Sequence, residues 1–507
     1  MVVSHLVKKQ TYFDSVTLML IGSQVKKLDG IENAVVGMCT DYNIDSLKRL
    51  DMYHPDFDSL TPNDLIIAIK GSDEKTAKAA IAEVETRLTS KKKSSESAQL
   101  VPTNQEAAAK QLADANMVLI SVPGEYAARE ARMALNAGRH AMLFSDNVSI
   151  EEELELKTLG TEKGLLVMGP DCGTAIINGV PLAFSNAVRS GNIGLVAASG
   201  TGLQEVTSTI HRLGCGITQA IGVGGRDLSE KIGGKMTIMA TKALIEDPET
   251  KVIVLVSKPP AASVLKNLMS EIKNANKPVV IYFIGADPKL IEAQGFTAAK
   301  NLEDAAVQAC KLSTGKSYES EFSDAKIDEM SKKIKLPTGN LRGLYSGGTL
   351  CDEAQRILRT SLPEIYSNTP VKGCKDMKDV YKSEGNCIID LGDDVFTRGK
   401  AHPMIDPDNR AQRMIQEISD KSVNMILFDV VLGYGSHTDM AGEMVEAINK
   451  GKKASGNNPV MAACICGTQD DMQGYSNHAA KLEDAGVIVF PTNVAMVKFA
   501  QKCLERK

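Results

Sequence analysis

Tryptophan is absent from this 507-residue chain, and phenylalanine and tyrosine contribute only 11 residues each. Set beside 41 glycines, so few rings suit α/β layers joined by tight turns rather than a β-sandwich. No apolar run approaches the roughly 20 residues a membrane helix needs. The opening MVVSHLVKKQTYF has no apolar stretch of the signal-peptide kind. Excess positive charge is also missing: the formal net charge is −5, which argues against a general nucleic-acid or polyanion binder. The ten cysteines include no CxxC pair, and Cys464 and Cys466 stand two residues apart along an apparent strand. Reduced thiols in a cytoplasmic protein are the reading, with no disulfide framework and no His/Cys cluster suited to a metal. The expectation is a cytoplasmic protein with no metal, no cofactor, no membrane span and no nucleic-acid partner.

What is present is a composition of 43% hydrophobic and 24% charged residues, in a chain long enough for three or four domains. Residues 1–90 alternate as β-α-β and then β-α, with Asp14 placed to cap a helix over 15–28 and strands over 34–38 and 65–69. This predicts a small ferredoxin-like α+β domain with a docking or regulatory role. A polar linker follows over 89–105, including Lys91, Lys92 and Lys93. Residues 106–190 give strands at 117–123, 140–144 and 165–168 with intervening helices, a partial Rossmann-like unit of the CoA-binding type. Its turn Gly169-Pro170-Asp171-Cys172-Gly173 stands where ligands collect, beyond the C-terminal ends of parallel strands. Residues 191–315 and 338–507 each have the rhythm of a flavodoxin-like domain, separated by a charged linker over 318–335.

Two strand-to-helix turns in these last domains share one design: ASGTGLQE at 198–205 and YSGGTLCDE at 345–353. Glycine lets backbone approach a ligand closely, and the free N–H groups and dipole of a helix start favour an anion. Ser199, Gly200, Thr201 and Gly202, with Ser346, Gly347, Gly348 and Thr349, are therefore candidate phosphate-binding residues. Ordinary N-capping by the same hydroxyls is the alternative.

These residues carry a resemblance. The series GPDCGTAI, GNIGLVAASGTGLQEV, IGVGGRD and LIEDPETKVIVLVSK is similar to the α subunit of succinyl-CoA synthetase. YSGGTLCDEA, CIIDLGDDV and MILFDVVLGYGSHTDMAGEMVEAI resemble the C-terminal domain of its β subunit. The resemblance implies two helix starts facing each other across a phosphate. Over nearly the whole chain the closer likeness is to the FdrA family. That implies a subunit of a multisubunit oxamate carbamoyltransferase in allantoin breakdown, interconverting oxalurate plus phosphate with oxamate plus carbamoyl phosphate. Its partners would be carbamoyl phosphate, a small carboxylate or amide substrate, the other transferase subunits and a carbamate kinase. An acyl-CoA synthetase and a non-catalytic assembly subunit are the alternatives. The sequence departs from the synthetase where FIGADPKLIEAQGFTAAKNLEDA, with no histidine, replaces the turn bearing the catalytic histidine. Val256-Ser257-Lys258-Pro259 stands where the supporting glutamate would be. No segment is long enough for an ATP-grasp domain, and no Walker-type loop occurs.

Six further residues are candidates for substrate binding. Arg226 either neutralises an anion or pairs with Asp227 or a nearby acid. Asp171 and Cys172 either meet a ligand or cap their turn. Arg398 and His402, with Lys400, form a basic cluster in VFTRGKAHP that is otherwise a solvated loop. His437 follows a strand end in GYGSHTD, as an acid–base group or a helix cap. No general base is identified.

Overall fold

The computed structural model describes residues 1–11, 13, 15–94, 102–397 and 400–506. The chain forms two compact units, one of residues 1–103 with 394–401 and one of 104–393 with 402–507.

In the N-terminal unit the strands β1 (Val2–Lys8), β2 (Ile31–Met38) and β3 (Leu65–Gly71) make an antiparallel sheet in the order β1-β3-β2. The apolar run Leu65-Ile66-Ile67-Ala68-Ile69 takes the middle because both its faces are covered. Leu65, Ile67 and Ile69 pack under the helices Ser15–Lys26 and Glu74–Ser94, while Ile66 and Ala68 meet Leu47, Met52 and Phe57. The α+β reading holds, with three strands where a full ferredoxin-like sheet has four. Asp14, the expected cap, lies outside the described residues. The linker begins later than expected. Lysine is a good helix former, so the helix runs through Lys91–Lys93 to Ser94.

The second unit opens with a parallel sheet of β4 (Met117–Ile120), β5 (His140–Leu143) and β6 (Val167–Met168). The hairpin β7 (Thr174–Ile177) and β8 (Val180–Ala183) leaves this sheet and pairs with β10 of the next one, so the Rossmann-like stretch ends before 174 rather than at 190. That next sheet adds β9 (Ser190–Ala198), β10 (Ile217–Gly222), β11 (Val252–Ser257), β12 (Val279–Phe283) and β13 (Thr297–Ala298). Its parallel part has the order β10-β9-β11-β12-β13, the 2-1-3-4-5 order of flavodoxin-like folds. The last sheet repeats this order. Its main strands β14 (Asn340–Tyr345), β17 (Cys387–Asp390), β18 (Val423–Val431), β19 (Val460–Cys466) and β20 (Ile488–Phe490) run β17-β14-β18-β19-β20, with the short β15 (Tyr366–Ser367) and β16 (Lys375–Asp376) at one edge.

In both sheets the first strand sits at the centre, and its C-terminal end delivers a Ser-Gly turn into a helix: Ser199 before helix Gly200–Arg212 and Ser346-Gly347 before helix Gly348–Leu358. Leu203, Val206 and Ile210 of the first helix share one apolar core with Leu350, Ala354 and Leu358 of the second. The charged stretch expected to be a linker also belongs to this core. Tyr318 and Phe322, in the irregular stretch before helix Asp324–Lys332, and Ile327 and Met330 on that helix join the core that holds Phe490 and Phe499. Among the described residues no helix is long and apolar enough to cross a membrane.

Candidate functional site

Ser199 is the N-cap of its helix, its hydroxyl accepting from the Gly202 N–H at 3.1 Å. The same hydroxyl lies 2.5 Å from that of Thr349, on the second residue of the other helix. The two helix starts therefore face each other directly. A Cβ on Gly347 would stand 2.8 Å from Thr201 Cγ2, and one on Gly202 would stand 3.1 Å from Thr349 Cγ2. Glycine is needed here for close approach of the two turns. Ser199, Thr201, Ser346 and Thr349 are all buried.

Four further elements converge on this meeting point. The Gly169–Gly173 turn packs on the 222–227 loop, where Gly224, at φ +85°, could carry a Cβ only by striking Pro170 O. A Cβ on Gly200 would lie 3.6 Å from Thr174 Oγ1. Lys258, just past β11, stands 4.0 Å from Asp352. Burial pulls against its charge, yet Asp352, Asp390 and Asp171 together hold Lys258 above its usual value. Asp390, at the end of β17, lies against the start of the second helix, where a Cβ on Gly348 would be 2.6 Å from its Oδ2. Burial, with the neighbouring Asp393 and Asp352 carboxylates, pushes the Asp390 carboxyl up to about 7, against the pull of Lys258. Two opposed helix starts, one lysine and a near-neutral carboxyl thus line one place. Such a set can hold an anionic oxygen and move a proton near pH 7. Sequence reading overlooked Lys258, Asp352 and Asp390, although VSKP and CIIDLGDD were in view; only the crossing of two sheets brings them together.

Each turn also carries a buried glutamate six residues into its helix, Glu205 and Glu353. Asn493 joins them: its N–H donates to Glu205 at 2.9 Å and its amide nitrogen to Glu353 at 2.8 Å. Burial pushes each carboxyl up to about 7.

The expected residues divide. Asp171 shares the electrostatic field of Lys258 with Asp352 and Asp390. Ser346 is part of the second turn, but its donors are already engaged. Its N–H and hydroxyl donate to Asp429 Oδ1 at 2.9 and 3.0 Å, and the Gly347 N–H donates to Oδ2 at 2.8 Å. Asp429 is in turn paired with Arg410 at 2.9 Å, both fully buried. Ser346 thus braces the turn internally, and Gly347 is the N-cap. Arg226 takes its alternative role, pairing with Glu153 at 2.8 Å and donating to Val148 O, while Asp227 bonds Lys157 and Thr237. Cys172 is buried, its thiol donating to Gly222 O, and burial pushes it up to about 12, which excludes a thiolate nucleophile at neutral pH. His402 Nδ1 accepts from the Met404 N–H and its ring packs near Phe184; burial lowers it to about 4, so the ring is neutral. His437 Nδ1 accepts from the N–H of Asp439, the residue that itself caps helix Met440–Ser455, so His437 has a structural role and is not the cap. Arg398 lies outside the described residues.

In the N-terminal unit, His5 on β1 and His54 and Asp56 near the helix Pro55–Phe57 bring three donor atoms within 4.8 Å of one another. His5 Nε2 is 2.9 Å from Asp56, and the two imidazoles stack at 4.0 Å. This trio could hold a metal ion, although no sequence cluster announced it, because 49 positions separate His5 from His54.

Three family models match successive parts of the chain. One for the AllF heavy metal-associated domain covers residues 1–106, one for a CoA binding domain covers 188–285, and one for CoA-ligase covers 344–503. The CoA-binding match spans the strands β9–β12. YahF of Escherichia coli K12, an uncharacterised protein, is 42% identical over 496 residues, 96% of each chain. The chain belongs to the YahF family. Part of the chain is also similar to succinate–CoA ligases: α subunit 2 of an ADP-forming succinate–CoA ligase from Archaeoglobus fulgidus is 29% identical over 178 residues. That match covers 34% of this YahF relative and 60% of the ligase subunit. PH0766 of Pyrococcus horikoshii overlays on 77% of this chain and 83% of its own, at 16% identity and a TM-score of 0.33.

Proposed function

We propose that the chain is the acyl-transfer component of a CoA-ligase-type enzyme, holding the phosphoryl group of an acyl phosphate beside the point where its two helix starts meet. The observation that carries this reading is the 2.5 Å approach of Ser199 to Thr349 across the two helix N-termini. Dipoles fixed in that way stabilise the charge that gathers on a leaving phosphate. The acceptor attacks the acyl carbon, the bond from that carbon to the phosphate oxygen breaks, and phosphate departs with the electron pair. The acceptor's proton goes to Asp390, whose carboxyl near 7 suits a base at neutral pH. A CoA thiol is the acceptor that the ligase-type fold favours.

A second form of the same chemistry rests on a different observation. Between Ile284 and Lys311 there is no histidine, so a phosphohistidine relay from a nucleotide has no residue there to run through. An acyl phosphate then has to arrive ready made, and carbamoyl phosphate from a carbamate kinase is one, with oxamate as acceptor and oxalurate as product. In this form the chain is a cytoplasmic oxamate carbamoyltransferase subunit working with partner subunits.

The chain purified with its co-expressed operon neighbours separates these forms. Thioester from acetyl phosphate or succinyl phosphate plus CoA supports the ligase form, and oxalurate from carbamoyl phosphate plus oxamate supports the carbamoyl form. Neither product, from a folded complex, leaves only an assembly role and overturns the proposal.

A further inference from the structure

Beyond β12 a cavity of about 290 Å³ opens, bounded by the loop after Phe283, the segment Ala299–Asn301, the later turns of helix Gly348–Leu358 and the start of helix Asn493–Leu504. Its charge is one-sided. Lys300, Arg356, Arg359 and Lys498 all line it. Lys498 is paired with Asp324 at 2.8 Å, and Arg359 donates to Lys372 O. Lys300 and Arg356 have no ion-pair partner among the described residues. The Nε of Arg356 is buried with no hydrogen-bond partner at all. A guanidinium nitrogen left this way forfeits its hydration without recompense, which points to an acceptor that completes it.

The one carboxyl in the wall, Glu353, does not supply that acceptor. Its oxygens already take the Leu302 N–H at 3.1 Å and the Asn493 amide at 2.8 Å, and burial keeps it near neutral. Phe283 and Val494 give the cavity an apolar side. Cations on one side and hydrocarbon on the other fit an organic anion better than a bare inorganic one. Arg356 lies seven residues beyond Thr349 on the same helix, about 10 Å along its axis, so a small molecule here does not touch the phosphate region.

We propose that this cavity is a second binding site, for a small organic dianion, with Arg356 and Lys300 as its anchoring cations. The proposal does not depend on the acyl-transfer reading.

Titration calorimetry on the full-length chain tests it, with malonate as the dicarboxylate probe and phosphoglycolate as the organic phosphate. Saturable binding of at least one probe is expected, weakened tenfold or more by Arg356→Gln and by Lys300→Gln and left within twofold by Ser199→Ala. The tighter of the two probes identifies the anionic group. Lys300→Gln keeps the test usable if Arg356→Gln fails to fold, which circular dichroism reports. Absence of binding by either probe overturns the proposal. So does binding that Ser199→Ala removes while the folded Arg356 or Lys300 variant retains it.

Discussion

The turns at Ser199 and at Ser346 leave the central strands of two sheets with the same strand order, and each opens a helix bearing a buried glutamate at the same position. They spend their donors differently. Ser199 caps its own helix and reaches across to Thr349, whereas the N–H groups of Ser346 and Gly347 are held by Asp429, which Arg410 fixes in place. One turn meets its neighbour through a hydroxyl, and the other is fastened from behind by a buried ion pair. A shared local sequence therefore specifies a shared conformation, while the residues behind it decide which donors remain for a ligand.

That difference predicts unequal costs. Asp429→Ala leaves Arg410 buried without its partner and frees two backbone donors, so it should destabilise the chain by about 3–5 kcal/mol in urea unfolding. Ser199→Ala removes a single cap, at about 1 kcal/mol. Equal costs for the two would erase the distinction between the turns.

The glutamates test what the turns have in common. Glu205 and Glu353 remain protonated in the folded chain up to about pH 7, whereas from their ordinary value of 4.5 they ionise much earlier once unfolded. Their contribution is complete below about pH 4.5 and is lost as the pH rises towards 7. Each shift corresponds to about 3 kcal/mol, and because the two share Asn493 they titrate as a pair, with less than the sum of the two. Unfolding free energy should fall across this window, and Glu205→Gln should flatten the fall. An unchanged slope in that variant removes Glu205 from the account.

Close contact of the turns gives a third test. Gly347→Val must push against Thr201, which should cost about 1–3 kcal/mol and lower activity in the assembled complex. Thr201→Ala in the same chain makes room and should restore much of both. If the double variant is no better than Gly347→Val alone, the contact with Thr201 is not what requires glycine.

Much of the architecture was legible because it rests on local signals. Apolar runs such as 65–69 and 425–430 read as strands, and a Ser-Gly step after an apolar run read as a helix start. What escaped depends on residues far apart in the chain. The 174–183 hairpin has its own strand pattern, but its choice of sheet is made by β10. The charge of 318–335 hid Tyr318, Phe322 and Ile327, whose apolar side chains join the core. Asp390 and Lys258 each look like a strand end until the two sheets meet. Arg226 illustrates the reverse: a loop cation with a plausible ligand role found its acid in Glu153.

The smallest expected effect separates capping from ligand binding at the helix starts. Ser199→Ala and Ser346→Ala remove one hydroxyl each. If both hydroxyls served only the fold, each change would cost roughly 1 kcal/mol of stability and leave turnover per folded molecule intact. The geometry gives the two different expectations. The Ser199 hydroxyl faces Thr349 at the meeting of both helix starts, so its loss should also slow acyl transfer about ten- to a hundredfold, the value of one hydrogen bond to a charged group. The Ser346 hydroxyl faces Asp429, so its loss should appear in melting temperature and leave turnover nearly unchanged. Melting temperature and turnover measured on the same preparations decide between these outcomes. Slower turnover in both variants would mean that Ser346 reaches the ligand despite its bond to Asp429. Unchanged turnover in both would take the hydroxyls out of the reaction and leave the anion to the backbone N–H groups alone.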